Sequence, residues 1–159
     1  MTKEDLKIKL IELFPQFTTE IPSATIDESG TWLKMNISKE DFLNVVNQLK
    51  TNPSLHFDFL FCLTCIDWKT HLTMVYHFTS TTHRQPIVLQ ITLDREHPEI
   101  ETVSSIWRTA EFHEREVYEM FGVNFLHHPD LRLLILPDGW ENKRPMLKDF
   151  EDPINMIKL

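Results

Sequence analysis

The side chains best suited to chemistry in this 159-residue chain are Cys62 and Cys65, spaced C-x-x-C, and the run His127, His128, Pro129, Asp130. A C-x-x-C pair occurs in thiol redox sites and zinc sites. A structural zinc wants four ligands and an iron–sulfur cluster normally four cysteines, and this chain has 2 cysteines in all. The surrounding FDFLFCLTCIDW reads as a buried strand, where residues three apart point to opposite faces, so the thiols diverge and are expected in the core. Adjacent histidines before proline read as turn residues rather than ligands, with His128 expected to donate a structural hydrogen bond. His113-Glu114 begins like a zinc-protease helix, but the second histidine is missing because position 117 is valine. Gly30, Gly122 and Gly139 stand too far apart for a phosphate loop. The expectation is therefore no catalytic, cofactor-binding or metal-ligating residue. A free-standing metal or thiol enzyme using Cys62, Cys65, His127 and His128 is the competing reading, and metal and thiol titration discriminates it.

The other dense group of functional side chains is Glu114 to Leu134, EREVYEMFGVNFLHHPDLRLL. Phe112, Val117, Met120 and Phe121 recur at helical spacing and form an apolar stripe, with Trp107, Phe112 and Phe121 expected in the core. Glu111, Arg115 and Glu119 fall at i, i+4, i+8, where they can pair along another face. Gly122 is a helix stop. The chain then leaves through Val123 to Phe125 into a loop, where Pro129 restricts His128 to extended geometry and favours a turn around Asp130. Arg115 is expected to hold Glu114, Glu116 or a partner's carboxylate in a desolvated network, using its planar fork.

Elements that position these residues can be read from the pattern. Thr2 and Asp5 form a capping box ahead of a helix carrying Leu6, Leu10, Ile11, Leu13 and Phe14, which Pro15 interrupts. Partly extended residues from Gln16 to Ile26 turn at Glu28-Ser29-Gly30 into the alternating TWLKMNI, a hairpin. Ser38 and Asp41 cap a second helix with Phe42, Leu43, Val45, Val46 and Leu49, closed at Asn52-Pro53. Three strands follow, Leu55 to Ile66, Leu72 to Thr79 and Ile87 to Leu93, the first apolar on both faces and so expected at the sheet centre. Pro98 is expected to open a helical stretch through Ile100, Val103, Ile106 and Trp107. Beyond Gly122 prolines punctuate an extended tail, where Trp140, Met146 and Phe150 suit a protein interface. The reading is α+β: one domain, core 1–122, with an extended segment 123–159 docking on partners.

A net charge of −8 and the absence of a Lys/Arg cluster argue against nucleic acid and against direct adhesion to an anionic membrane. MTKEDLKIKL is too charged for a signal peptide, and the longest apolar stretch, Phe57 to Ile66, is too short to span a bilayer. Membrane association is expected only through other subunits.

The chain resembles the complex I 30-kDa subunit family of NADH-quinone oxidoreductase. The resemblance rests on Glu114, Arg115, Glu116, Tyr118, Glu119, Phe121, Gly122, Phe125, His128, Pro129, Asp130, Leu131, Arg132 and Leu134, with Trp140, Lys148 and Asp149 matching a closing motif. It departs from the family pattern at His127 and Asn142, where glycine is usual, at Leu133, where a second arginine is usual, and at Met146 and Leu147, which replace leucine and arginine. The resemblance implies a two-layer α/β domain with a mixed sheet of about five strands and helices on one face. It implies an accessory, non-redox subunit in the peripheral arm of a proton-translocating oxidoreductase. That subunit scaffolds the large hydrogenase-like subunit and the small iron–sulfur subunit near the quinone site, on the cytoplasmic (or matrix or stromal) side of the membrane. FMN and iron–sulfur clusters are then expected on other subunits, none on this one. The equivalent subunit of an energy-converting hydrogenase, or of a dehydrogenase with another donor, shares the same architecture.

Overall fold

The computed structural model describes residues 2–15, 25–27 and 29–152. The elements are α1 (Lys3–Leu13), β1 (Thr25–Asp27), β2 (Leu33–Ile37), α2 (Phe42–Thr51), β3 (Phe59–Asp67), β4 (His71–Ser80), β5 (Gln85–Asp94), β6 (Glu99–Glu101), α3 (Ala110–Phe121) and β7 (Asn124–Leu126). Five strands form a mixed sheet in the order β1-β2-β5-β4-β3, with β2 and β5 parallel and the other neighbours antiparallel. The expected α+β fold is present. The expected extended run Gln16 to Ala24, Glu28 of the hairpin turn and the tail from Pro153 lie outside the described residues.

Local chemistry sets the helix boundaries. Thr2 and Asp5 make the capping box at α1 in both directions, each side chain bonding the other's main-chain N–H. Ser38 and Asp41 bond each other ahead of α2, whose Phe42, Val45, Val46 and Leu49 are fully buried. Gly122 ends α3 with φ 81°, the left-handed conformation that disfavours a Cβ.

One sheet face carries the core. Leu33, Met35 and Ile37 of β2 lie beside Ile87, Leu89 and Ile91 of β5, which neighbour Phe78, Tyr76 and Met74 of β4. Phe42 packs on Tyr76 with ring centroids 5.0 Å apart, and Trp107 on Phe78 at 4.5 Å, fixing α2 and the approach to α3 on that face. About 25 cal/mol per Å² of buried apolar surface drives this assembly.

Three sequence expectations are corrected. β3 is an edge strand, not the central one, and it starts at Phe59 because Leu55 lies in the turn after α2. Its apolar outer side chains join an aromatic cluster instead of a second layer: Phe61 lies 5.9 Å from Trp32 and 5.7 Å from His77. The stretch after Pro98 is not helical, since Glu99–Glu101 forms β6 and Val103 to Trp107 a turn. The chain leaves α3 through Val123 to Phe125 as expected, and there β7 pairs parallel with β6, joining Glu99 to Asn124 and Ile100 to Phe125. Parallel pairing needs a crossover, and α3 supplies it.

Candidate functional site

From His127 onward the described chain has no regular secondary structure, so its main-chain groups need partners from elsewhere. α3 supplies them. Glu119, 3% exposed, accepts from the N–H of Leu134 at 2.8 Å, of Ile135 at 2.9 and 3.2 Å, and of Leu136 at 3.2 Å. One turn earlier Arg115 donates through Nε to the Arg132 carbonyl (3.1 Å) and through Nη2 to the Leu133 carbonyl (2.7 Å). Two opposite charges on one helix face therefore clasp the donors and the acceptors of one strap, residues 127–152.

This arrangement corrects the expected charge network. Arg115 holds main-chain carbonyls rather than Glu114 or Glu116, and Glu116 is exposed. The i, i+4, i+8 row does not pair along its length, because Glu119 is saturated by strap N–H groups. Phe112 is 56% exposed rather than part of the core stripe, and Arg115 Cζ sits 5.8 Å from its ring centroid. Val117 and Phe121 are buried as expected, and so is Trp107, whose indole N–H donates to the Phe57 carbonyl at 3.0 Å.

The strap root is built around His128. Its buried ring bonds the Glu111 carbonyl through Nε2 at 3.1 Å, the expected structural hydrogen bond, and accepts the Asp130 N–H at Nδ1 at 3.1 Å. Asp130 in turn accepts from Arg132 at 2.9 Å on the surface. The two positions that depart from glycine are both left-handed, His127 with φ 62° and Asn142 with φ 67°. His127 bonds Glu101 at 2.8 Å, and asparagine is among the residues that tolerate this conformation. Leu133 contributes its carbonyl to Arg115, so the absent second arginine removes nothing from this clasp.

The far end of the strap is fixed by residues to which no sequence motif pointed. Asp67, 3% exposed at the end of β3, takes a two-pronged contact from Arg95, Nε to Oδ1 and Nη2 to Oδ2 both at 2.9 Å. It also accepts the N–H of Lys148 at 2.9 Å, while Arg95 reaches Asp149 at 2.6 Å. The Arg95 guanidinium and the main-chain donors hold the Asp67 carboxyl well below the usual carboxylate range, against its burial. The matching Lys148 and Asp149 thus serve as strap anchors. Trp140 instead stacks under its own loop's Lys143, with Nζ 4.3 Å from the ring centroid. Phe121 belongs to the core and Tyr118 packs against it, Gly122 is overlain by the Arg144 side chain, and Pro129 is exposed. The only signal for Asp67 and Arg95 was their charge at strand ends, which marks most turns.

Cys62 is half-buried opposite His77 and Cys65 buried opposite Met74, and both are free thiols. Burial raises Cys62 and pushes Cys65 up to about 12, so neither is a ready thiolate. No cluster of three or more His, Cys, Asp or Glu suited to a metal occurs among the described residues. No described helix is long and apolar enough to cross a membrane.

Fold and site together define a class: an α+β domain whose signature helix spends its charges on fastening an irregular strap. Residues 35–153 match the family model described as the respiratory-chain NADH dehydrogenase 30 Kd subunit. The C/D subunit of the NADH-quinone oxidoreductase of Phocaeicola vulgatus is 43% identical over 113 residues, covering 70% of this chain and 22% of that protein. The C subunit of the NADH-quinone oxidoreductase of Chloroherpeton thalassium is 36% identical over 105 residues, covering 65% of this chain and 43% of that protein. The chain therefore spans less than half the length of these two relatives. The C subunit of the F(420)H(2) dehydrogenase of Methanosarcina mazei is 35% identical over 149 residues, covering 92% of each. Among solved structures, a chain of the archaeal membrane-bound sulfane sulfur reductase shares the fold with TM-score 0.78 and 22% identity, covering 93% of this chain and 85% of its own. The trypsin-resistant fragment of Nqo5 does so with TM-score 0.66 and 23% identity, covering 82% of this chain and 100% of its own. The chain belongs to the respiratory-chain NADH dehydrogenase 30 Kd subunit family.

Proposed function

We propose that this chain is an accessory subunit of the peripheral arm of a complex I-type oxidoreductase, carrying no redox centre and scaffolding its neighbours. The observation that carries the scaffold role is the clasped strap. Because Glu119 and Arg115 bond the main chain of residues 132–136, this part of the strap is held without folding into the core, and Leu134, Ile135 and, further on, Met146 stay 38, 60 and 57% exposed. Apolar side chains on a pre-ordered backbone suit a docking surface, since little entropy remains to be lost on binding. In this reading the strap meets the large hydrogenase-like subunit and the small iron–sulfur subunit near the quinone site. FMN and iron–sulfur clusters then reside on other subunits, and the chain reaches the cytoplasmic side of the membrane only through the complex.

Purification of the tagged chain from its native membranes tests the proposal. Recovery with a large hydrogenase-like subunit and a small iron–sulfur subunit is expected, and the chain released from them should hold no stoichiometric iron or zinc. A chain recovered alone with one tightly bound metal would make the free-standing enzyme the better reading.

A second reading of the donor is favoured by the relative from Methanosarcina mazei, which aligns over nearly the full length of both chains. That protein's name gives F(420)H(2) rather than NADH as the compound oxidised. Quinone reduction by the purified complex, driven by NADH or by F(420)H(2), separates the two.

A further inference from the structure

Glu114 takes no part in clasping the strap. It is 0% exposed, and its Oε1 accepts the Val103 N–H at 2.8 Å while its Oε2 meets the Thr102 hydroxyl. Thr102 in turn lies 2.8 Å from the Ser104 hydroxyl and accepts the Ser104 N–H at 3.1 Å. Both hydroxyls line a cleft of about 670 Å³ together with Glu101, Glu111, His127 and Pro129. A buried carboxylate normally has a cationic partner, because ionisation away from water is costly. Arg115, the next residue, is turned to the strap carbonyls. Among the described residues the basic side chain within 4 Å of Glu114 is His128, with Nε2 3.7 Å from Oε2. From β4 the Tyr76 hydroxyl is fully buried with no hydrogen-bond partner among the described residues, and charge on Glu114 and on Cys65 of β3 adds to the burial that holds its proton on. Burial opposes a negative charge at Glu114, while the Thr102 hydroxyl and the Val103 N–H favour it.

Hydrogen counting shows that the site accommodates either charge state. With Glu114 protonated, its O–H donates to Thr102 and the Thr102 O–H points on to Ser104. With Glu114 ionised, the chain reverses: Ser104 donates to Thr102, and Thr102 to the carboxylate. Both states pair the Thr102 hydroxyl and leave Ser104 at the cleft, so a proton can come and go without breaking this chain of hydroxyls. The consequence falls on His128. Its Nδ1 accepts the Asp130 N–H, so the ring proton lies on Nε2 and is donated to the Glu111 carbonyl. An ionised Glu114 is the stronger acceptor and competes for that proton.

We propose that Glu114 is a reversible proton-binding site, connected to the cleft by Thr102 and Ser104, whose charge state sets how firmly His128 holds the root of the strap. Burial pushes the Glu114 carboxyl up to about 7, which places the event at neutral pH. The site needs no partner subunit, and its test is independent of the scaffold reading.

The full-length chain with carboxyl-labelled glutamate is titrated by NMR from about pH 5 to about pH 9, above the ordinary glutamate range. Glu114→Gln identifies the signal. Its midpoint is expected well above those of the surface glutamates, with amide protection at 130–134, corrected for intrinsic exchange, falling about tenfold over the same range. Glu114→Gln, a mimic of the neutral acid, should keep that protection constant. Thr102→Val, which removes a donor to the ionised form, should raise the midpoint by about one unit and serves if the glutamine variant fails to fold. A Glu114 signal that titrates with the surface groups, a midpoint unmoved by Thr102→Val, or strap protection indifferent to the titration overturns the proposal.

Discussion

At Arg115 the partners expected within the chain and those observed differ. Its fork was expected to hold carboxylates, yet it holds two adjacent carbonyls, which a planar guanidinium spans and an ammonium does not. Arg115→Ala leaves those carbonyls near enough the surface to find water, so the loss should be about 1–3 kcal/mol rather than that of a broken buried ion pair. Arg115→Lys should restore about half of it. Chemical denaturation of the three proteins checks this, and a loss above about 4 kcal/mol would mean that Arg115 neutralises a buried carboxylate after all. At His127 a left-handed non-glycine residue carries strain that its hydrogen bond with Glu101, on an 81% exposed imidazole, does little to offset.

At the level of elements, α3 is a clasp and the ends of β3 and β5 are a latch. The clasp orders the first half of the strap through Glu119 and Arg115, and the latch orders the second through Asp67 and Arg95. Between them, the loop 137–143 bonds within itself, Trp140 N–H to the Pro137 carbonyl and Lys143 N–H to the Trp140 carbonyl. Arg95→Ala removes the guanidinium from a buried carboxylate and releases Asp149 as well. Limited proteolysis should then cut beyond residue 143 while α3 and the first half of the strap stay protected. Uniform loss of protection would show that clasp and latch form one cooperative unit.

For the whole molecule, two buried carboxyls give stability opposite dependences on pH. Asp67 titrates lower in the fold than in the unfolded chain, so its contribution is present above the ordinary aspartate range and is lost as pH falls below it. Glu114 titrates higher in the fold. Its contribution is full below the ordinary glutamate value of 4.5 and is lost as pH rises through about 7. Melting temperature against pH should show both limbs. Glu114→Gln should flatten the decline between about pH 5 and about pH 7, and Asp67→Asn the acid limb, each leaving the other in place. A wild-type curve flat from about pH 5 to about pH 8 would contradict the assignment.

What the sequence by itself determined is what short-range chemistry determines. The Thr2–Asp5 cap, the Gly122 stop, the amphipathic α2 and the hairpin each depend on residues a few positions apart, and the capping and periodic patterns record them directly. The signature from Glu114 to Arg132 was legible as a unit for the same reason, as was the divergence of Cys62 and Cys65, which follows from strand period. The tertiary structure alone decided whatever depends on a partner far along the chain. β3 looks central because both faces are apolar, but apolarity does not say what covers a face, and an aromatic cluster with Trp32 does so on one side. Ile100, Val103 and Trp107 fit a helical spacing over too short a run to exclude a strand, and β7, beyond α3, settled it. Glu119 meeting three strap N–H groups, and Asp67 meeting Lys148 81 positions away, leave no local pattern at all, because a carboxylate bonded to main chain places no demand on the identity of the residues it holds.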